Sequence, residues 1–88
     1  MRTTGTAEKA ERREKDIRRR LARNLARIRA ERGFSLEQLE ERSGIPLRDL
    51  EGIEAAGKGN ITVTTIVLLA NALLVDPVEI VARVKSAL

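Results

Sequence analysis

The side chains that could do chemistry in this sequence are almost all charged. The chain contains no cysteine and no histidine, so thiol chemistry, disulfides and the usual zinc sites are excluded. It has no tyrosine either, and its carboxylates show none of the pairing that general acid–base catalysis needs. The sequence therefore predicts neither an enzyme nor a metal or cofactor site. The remaining candidates for a binding function are the cationic side chains, which attract polyanions.

Those cations are unevenly placed along the chain. The net charge of +4 comes from 17 Lys and Arg against 13 Asp and Glu, but residues 1–32 alone hold 12 of the bases and 5 of the acids. Residues 33–60 carry a net charge of −3, and residues 61–88 are neutral. This asymmetry points to a polyanion partner. Proteins that bind single-stranded nucleic acid stack the bases on aromatic side chains. Because Phe34 is the only aromatic residue, this mode of binding is not expected here.

The sequence predicts neither a secretory signal nor a membrane-spanning segment. The N-terminus has no apolar core of the kind that a secretory signal needs. The longest charge-free run covers residues 59–75, and its 17 residues are too few and too polar to span a bilayer. We therefore expect a cytoplasmic protein with no membrane partner.

The apolar spacing predicts five helices and no strands. Residues 1–7 are expected to be a disordered tail, and residues 1–15 a charged, partly disordered extension of the domain that spans residues 16–88. In the first helix, packing is predicted to begin at Ile17 and to continue through Leu21, Leu25 and Ile28 until Gly33. The fifth helix, which opens at Asp76, is expected to continue to the end of the chain.

Capping patterns mark where the remaining helices begin. Ser35 and Gln38 form a capping box for the second helix, and Asp76 and Glu79 form one for the fifth. Thr62 can cap the fourth. Between residues 35 and 56, two short helices are joined by a turn that contains Gly44, which is the layout of a helix-turn-helix unit. That layout alone is weak evidence, because many helical hairpins would match it.

A longer stretch, residues 28–81, is more specific. It resembles the phage-repressor and Cro-like helix-turn-helix family, also called the xenobiotic-response-element family. The residues that carry the resemblance are Ile28, Arg29, Gly33, Phe34, Ser35, Leu39, Gly44, Ile45, Leu50, Ile53, Glu54, Leu69, Ala70, Ala72, Leu73 and Val75. The resemblance implies an all-α, five-helix, lambda-repressor-like domain that binds double-stranded DNA, usually as a two-fold dimer. It also implies a structural ion pair between Arg29 and Glu54.

Departures from the family pattern fall largely where DNA would be touched. Leu36 stands where the family usually has a DNA-contacting Gln, and Pro46 and Leu47 replace polar residues at the start of the third helix. Gly52 replaces a long polar residue one turn later, and Glu40 replaces an Ala. The fold pattern is therefore nearly intact, while the surface expected to face DNA has few donors.

Arg48 is the main candidate for a base contact within the segment from residue 47 to residue 52. Its guanidinium suits guanine O6 and N7, although a surface ion pair with neighbouring acids is an equal alternative. Leu47 either contacts a thymine methyl or packs back on the second helix. Glu51, like Asp49, either accepts from cytosine N4 or lies solvated at the rim of the groove. The full set of candidate DNA contacts is Ser35, Leu36, Leu47, Arg48, Glu51, Gly52, Lys58 and Asn60.

Two further surfaces are predicted. Arg19, Arg23 and Arg27 lie four residues apart and form either a solvated face or a phosphate contact. The C-terminal third carries more apolar residues than one inward stripe needs, which predicts a homodimer through Leu68, Leu74, Val78, Val81 and Val84, unless the first helix covers the excess. Together these features predict a sequence-specific, homodimeric transcriptional regulator that acts at the bacterial nucleoid. The predicted mode of regulation is repression. The alternative is a protein-interaction module on the same fold.

Overall fold

The computed structural model describes residues 4–83, and within that range it contains five helices and no strand. This confirms the predicted all-α, five-helix fold. The helices are α1 (Thr4–Arg32), α2 (Leu36–Ser43), α3 (Leu47–Ala56), α4 (Val63–Leu73) and α5 (Pro77–Val81). None of them is both long enough and apolar enough to cross a bilayer.

The first helix is longer than the sequence predicted. It begins at Thr4, so the expectation of a disordered tail is wrong for residues 4–7. Residues 5–16 are exposed on every side and gain little from packing. They continue the helix because adding a residue to a formed helix gains a hydrogen bond without a new nucleation cost. An ion pair between Glu14 and Arg18, 2.9 Å long, adds support of the expected kind.

The core is built where all five helices meet. Its fully buried members include Leu21 and Leu25 of α1, Leu39 of α2, Leu50 of α3, Leu69 and Leu73 of α4, and Ile80 of α5. Packing on α1 begins at Leu21, one turn later than predicted. The side chain of Ile17 is 38 % exposed because it borders an open apolar depression, shared with Ile61, Ile66 and Val81, where no helix covers it.

The helix starts follow the capping patterns in the sequence. Capping boxes form at Ser35 with Gln38 and at Asp76 with Glu79, as predicted. Thr62 caps α4 and exchanges hydrogen bonds with Thr65, which completes a third box. Since each box satisfies otherwise orphaned amides at a helix start, the local sequence fixes where α2, α4 and α5 begin.

The fifth helix ends much earlier than predicted. It stops at Val81, and Ala82 adopts an extended conformation, with φ −70° and ψ 152°. The chain is held at this point by Asn24 of α1, whose buried side-chain amide donates to the carbonyl of Ile80 at 2.9 Å and to that of Ala82 at 2.8 Å. Val84, predicted to lie on the same helix, falls outside the described residues. Ile80, the fully buried residue of α5, belongs to the core and not to an exposed apolar surface.

Candidate nucleic-acid interface

The third helix is positioned by its connection to the second. Gly44 ends α2 in a left-handed conformation, with φ +80°. The chain then turns through Ile45, which is buried, and whose amide donates to the Ser43 hydroxyl at 3.1 Å. Leu39 and Leu50 are both completely buried between the two helices and the rest of the core. The result is a helix-turn-helix unit with α3 in the place of a recognition helix.

The start of α3 is held by a side chain of α2. Pro46 precedes the helix and makes no side-chain cap. Instead, Glu40 Oε2 accepts a hydrogen bond of 2.9 Å from the amide of Leu47. Glu40, which departs from the family pattern, therefore supplies the acceptor that an N-cap residue normally provides. Its negative charge also lies at the helix start, where it is favoured.

The inner side of α3 is tied to α1 by an ion pair. Arg29 Nε donates to Glu54 Oε2 at 2.7 Å, and Arg29 Nη2 donates to Glu54 Oε1 at 2.6 Å. Only 22 % and 14 % of the two side chains are exposed. The hydrogen bond to Glu54 raises the pKa of Arg29 above its ordinary high value, so the guanidinium stays charged. Arg29 Nη1 also donates to the carbonyl of Phe34, which fixes the turn between α1 and α2.

The outer side of α3 is left open. Arg48, Asp49 and Glu51 are exposed, and none of them takes part in an ion pair or a side-chain hydrogen bond among residues 4–83. The ion pair weighed as the alternative role of Arg48 is therefore not formed, and its guanidinium is available to a ligand. Leu47 is half-buried.

Gly52 lies where α3 passes the loop before α4. A Cβ atom at this position would sit 3.9 Å from the carbonyl oxygen of Lys58, which is ordinary contact. A methyl group therefore fits there, while a long side chain would need room that the loop occupies. Gly52 keeps the loop close to the recognition helix.

The start of α2 presents two predicted contacts of different kinds. Ser35 is exposed, but its hydroxyl already accepts from the Gln38 amide at 3.1 Å. Leu36 is half-buried and packs against the core. Its apolar side chain thus supports the fold at a position where the family usually contacts DNA.

The loop between α3 and α4 is clamped by α1. Arg18 Nη1 donates to the carbonyl of Gly57 at 3.0 Å and to that of Gly59 at 2.9 Å. Gly57 has φ +63° and touches α1 so closely that a Cβ atom would overlap the carbonyl of Arg18. The clamp leaves Lys58 and Asn60 exposed on the loop. Sequence reasoning missed Arg18, because 39 and 41 residues separate it from its acceptors and no local pattern reveals the contact.

The other predicted cations of α1 are all exposed, but they differ in whether they form an ion pair. Arg19, Arg23 and Arg27 are all exposed. Arg27 contacts Glu31 at 3.4 Å, so it belongs to a surface ion pair. Lys58 and Gly59 line two depressions: one reaches Pro46 and Asp49 at the start of α3, the other reaches Lys15 and Arg19 on α1.

The predicted dimer residues do not form one uniform surface. Leu74 and Val78 are 65 % and 66 % exposed, and Leu68 is partly exposed. Val81 is half-buried and packs against the edge of the core. Leu74 is also the only non-glycine residue with a positive φ, +63°, in the part of the chain that the structure describes.

Comparisons with known proteins agree with this arrangement. A helix-turn-helix family model matches residues 25–80. An uncharacterized HTH-type transcriptional regulator of Sinorhizobium fredii, y4dJ, is 42 % identical over 66 residues, which is 75 % of this chain and 84 % of that protein. The crystal structure of the restriction-modification controller protein C.AhdI from Aeromonas hydrophila superposes with a TM-score of 0.67 at 30 % identity, covering 72 % of this chain and 94 % of that one.

The resemblance found in the sequence is thus confirmed by a family match across α2, α3 and α4 and by a structural likeness to a solved controller protein over most of the chain. This chain belongs to the helix-turn-helix family of transcriptional regulators, of the xenobiotic-response-element type.

Proposed function

We propose that the protein binds specific sequences in double-stranded DNA by placing α3 in the major groove, and that it regulates transcription in this way. The observation that carries the proposal is the state of Arg48. It is exposed and has no side-chain partner among residues 4–83. It lies in the first turn of a helix whose opposite side is fixed to α1 by the ion pair of Glu54 and Arg29. First-turn side chains of a recognition helix reach base edges, and a bidentate arginine–guanine contact contributes about 1–3 kcal/mol of discrimination.

The neighbouring residues have supporting roles in this proposal. Lys58, Asn60 and the start of α2 at Ser35 contact phosphates, which fix the position of α3 but carry no sequence information. Leu47 contacts a thymine methyl, and Glu51 accepts from cytosine N4 where the site provides one. Leu36 adds its exposed edge, and Gly52 lets the loop approach the groove. Repression is the proposed mode, since a protein that occupies a promoter needs only to bind.

Selection of duplexes from a random pool tests DNA binding directly. We expect an enriched motif, with binding that weakens steeply as salt rises. Failure of every duplex to bind even at low salt would favour the alternative, a protein-interaction module. The acids Asp49 and Glu51 beside Arg48 are the observation that keeps this alternative in view.

We also propose that the protein acts as a homodimer through Leu68, Leu74, Val78 and Val81; Val84, the fifth predicted interface residue, lies outside the described residues. The backbone of Leu74 supports this. A left-handed conformation costs a leucine on the order of 1–2 kcal/mol relative to the ordinary helical one, and glycine adopts it freely. A strained residue that also exposes a large apolar side chain suggests a role for that side chain outside the monomer.

Replacing Leu74 with Gly separates the two effects. The variant should be at least as stable as the unmodified protein toward denaturant. Its dimer dissociation constant, measured by sedimentation equilibrium, should nevertheless be higher. Val63→Ser is the control, because Val63 is 77 % exposed at the opposite end of α4. Two-fold pairing predicts a near-palindromic motif with recognition helices roughly 34 Å apart. A monomer mass at all concentrations, unchanged by DNA with two half-sites, would refute the dimer.

A further inference from the structure

The N-terminal half of α1 extends beyond what the family domain requires. The family match begins at residue 25, whereas α1 begins at Thr4. Residues 5–16 bury nothing in the core. The extension nevertheless passes the loop between α3 and α4, and Arg18 joins the two with hydrogen bonds to Gly57 and Gly59. An exposed, highly charged helix is thus held at a fixed place beside the proposed DNA surface.

A basic cleft lies between this extension and the loop. It has a volume of about 680 Å³ and is lined by Lys15, Arg18, Arg19, Ala56, Gly57, Lys58 and Gly59. Among residues 4–83, no acidic side chain contributes to its lining. Lys15, Arg19 and Lys58 are exposed, and none of them pairs with a carboxylate among residues 4–83. Three free cations therefore converge on one concave surface, where they raise the local positive potential.

Arg18 prepares this cleft rather than adding a free charge to it. Its guanidinium is engaged by two loop carbonyls and by Glu14. Carbonyl oxygens that faced the cleft would repel an anion, and Arg18 covers those of Gly57 and Gly59. Arg18 is therefore a positioning residue, and Lys15, Arg19 and Lys58 are left to bind.

The cleft is continuous with the surface that carries the proposed base contact. Lys58 and Gly59 line both the cleft and the neighbouring depression that reaches Pro46 and Asp49 at the start of α3. A duplex that lays its major groove on α3 would run past the loop toward α1.

We propose that the N-terminal extension of α1 is a second phosphate-binding element, in which Lys15 and Arg19, together with Lys58, bind the DNA backbone flanking the site contacted by α3. The inference rests on the proposed DNA binding and lengthens its footprint on the duplex. Because phosphate contacts are independent of sequence, the extension strengthens binding to all duplexes alike.

A matched pair of double variants tests this. The first variant, Lys15→Gln with Arg19→Gln, removes two positive charges from the side of α1 that lines the cleft. The two residues, one Lys and one Arg, are four positions apart. Lys9→Gln with Arg13→Gln removes the same two charges at the same spacing, about 120° away around the helix. All four residues are exposed, so neither change should alter folding, which circular dichroism can check.

Binding is measured against a random-sequence duplex of about 40 base pairs, several helical turns long, over a range of salt concentrations. Each lost phosphate contact lowers the slope of log affinity against log salt by about 0.9, so the cleft variant should lose about 1.8 of slope. Its affinity at about 0.1 M salt should fall at least tenfold. The control variant should keep the slope and lose less than about threefold, which is the effect of net charge alone.

The outcomes separate the two proposals. Equal losses in the two variants, or an affinity loss without a change of slope, would overturn the role of the cleft while leaving DNA binding intact. If the unmodified protein fails to bind any duplex at low salt, the proposed function fails, and this inference fails with it.

Discussion

The inner and outer sides of α3 differ in whether their side chains have partners. On the inner side Leu50 is completely buried, and Glu54 pairs with Arg29 through two short hydrogen bonds. On the outer side Arg48 and Glu51 are exposed and have no side-chain partner among residues 4–83. The side chains of one helix thus divide into those that the fold pairs or buries and those that remain in solvent, where a ligand can reach them. Stability and binding should therefore be separable within α3.

The largest effect is expected on the inner side. Leu50→Ala removes a fully buried side chain and leaves a cavity, which should lower the free energy of unfolding by about 2–5 kcal/mol. Leu47→Ala, the same chemical change three residues earlier at a half-buried site, should cost less than half as much. Denaturant titrations of both variants make the measurement, and equal costs would contradict the division of the helix.

The ion pair should show the next largest effect. Glu54→Gln leaves Arg29 charged in a largely buried site, so we expect a loss of roughly 2–3 kcal/mol, below the range for fully buried pairs. Glu51→Gln makes the same change on the outer side and should stay within about 0.5 kcal/mol. Because the raised pKa of Arg29 keeps it charged, its contribution is complete below the ordinary arginine pKa and is lost only as pH rises beyond it.

A double-mutant cycle distinguishes this interaction from general damage. Replacing Arg29 together with Glu54 should cost less than the sum of the two single changes, because no unpaired charge remains. Additive costs, measured in neutral buffer, would show that the two side chains do not interact as the structure has them.

On the outer side the expected effect is on binding alone. Arg48→Ala should leave the free energy of unfolding within about 0.5 kcal/mol and should reduce discrimination at one base position by about 1–3 kcal/mol. Arg48→Lys is the informative companion, because it keeps the charge but loses the bidentate geometry. Competition between duplexes that differ at single positions measures the effect. A uniform weakening across all duplexes would make Arg48 a phosphate contact.

Gly52, at the boundary between the two sides, should give the smallest effect. Gly52→Ala should raise the free energy of unfolding by about 0.5–1 kcal/mol, because alanine favours a helix and its methyl group meets the loop only at ordinary contact distance. If DNA affinity falls while stability rises, the glycine serves close approach to DNA. A destabilised variant would mean that the loop tolerates no side chain there.

Sequence reasoning succeeded where the determinants are local. The capping boxes at Ser35 and Asp76, and the buried positions Leu21, Leu25 and Ile28, follow from patterns within a few residues. It failed where a distant side chain decides the outcome. Apolar periodicity alone continued α5 to the chain end.

Hydrogen bonds from three polar side chains account for most of what the sequence did not reveal. Asn24 binds two carbonyls at the end of α5, Arg18 holds the loop before α4, and Glu40 caps α3 from the preceding helix. Each pairs a polar side chain with the backbone of another element. Such contacts leave no periodic trace in the sequence, so the loop geometry of the candidate site could not be predicted in detail.

The clasp of Asn24 on α5 has a consequence for how the molecule opens. A five-residue helix has almost no stability of its own and would be expected to fray first. Here both amide hydrogens of Asn24 are bonded to backbone carbonyls at the end of α5, 56 and 58 residues away. Detaching α5 would strand a buried donor in the middle of α1, so the two helices should unfold as one cooperative unit. The amide of Ile80 should therefore exchange with solvent almost as slowly as those at the centre of α1.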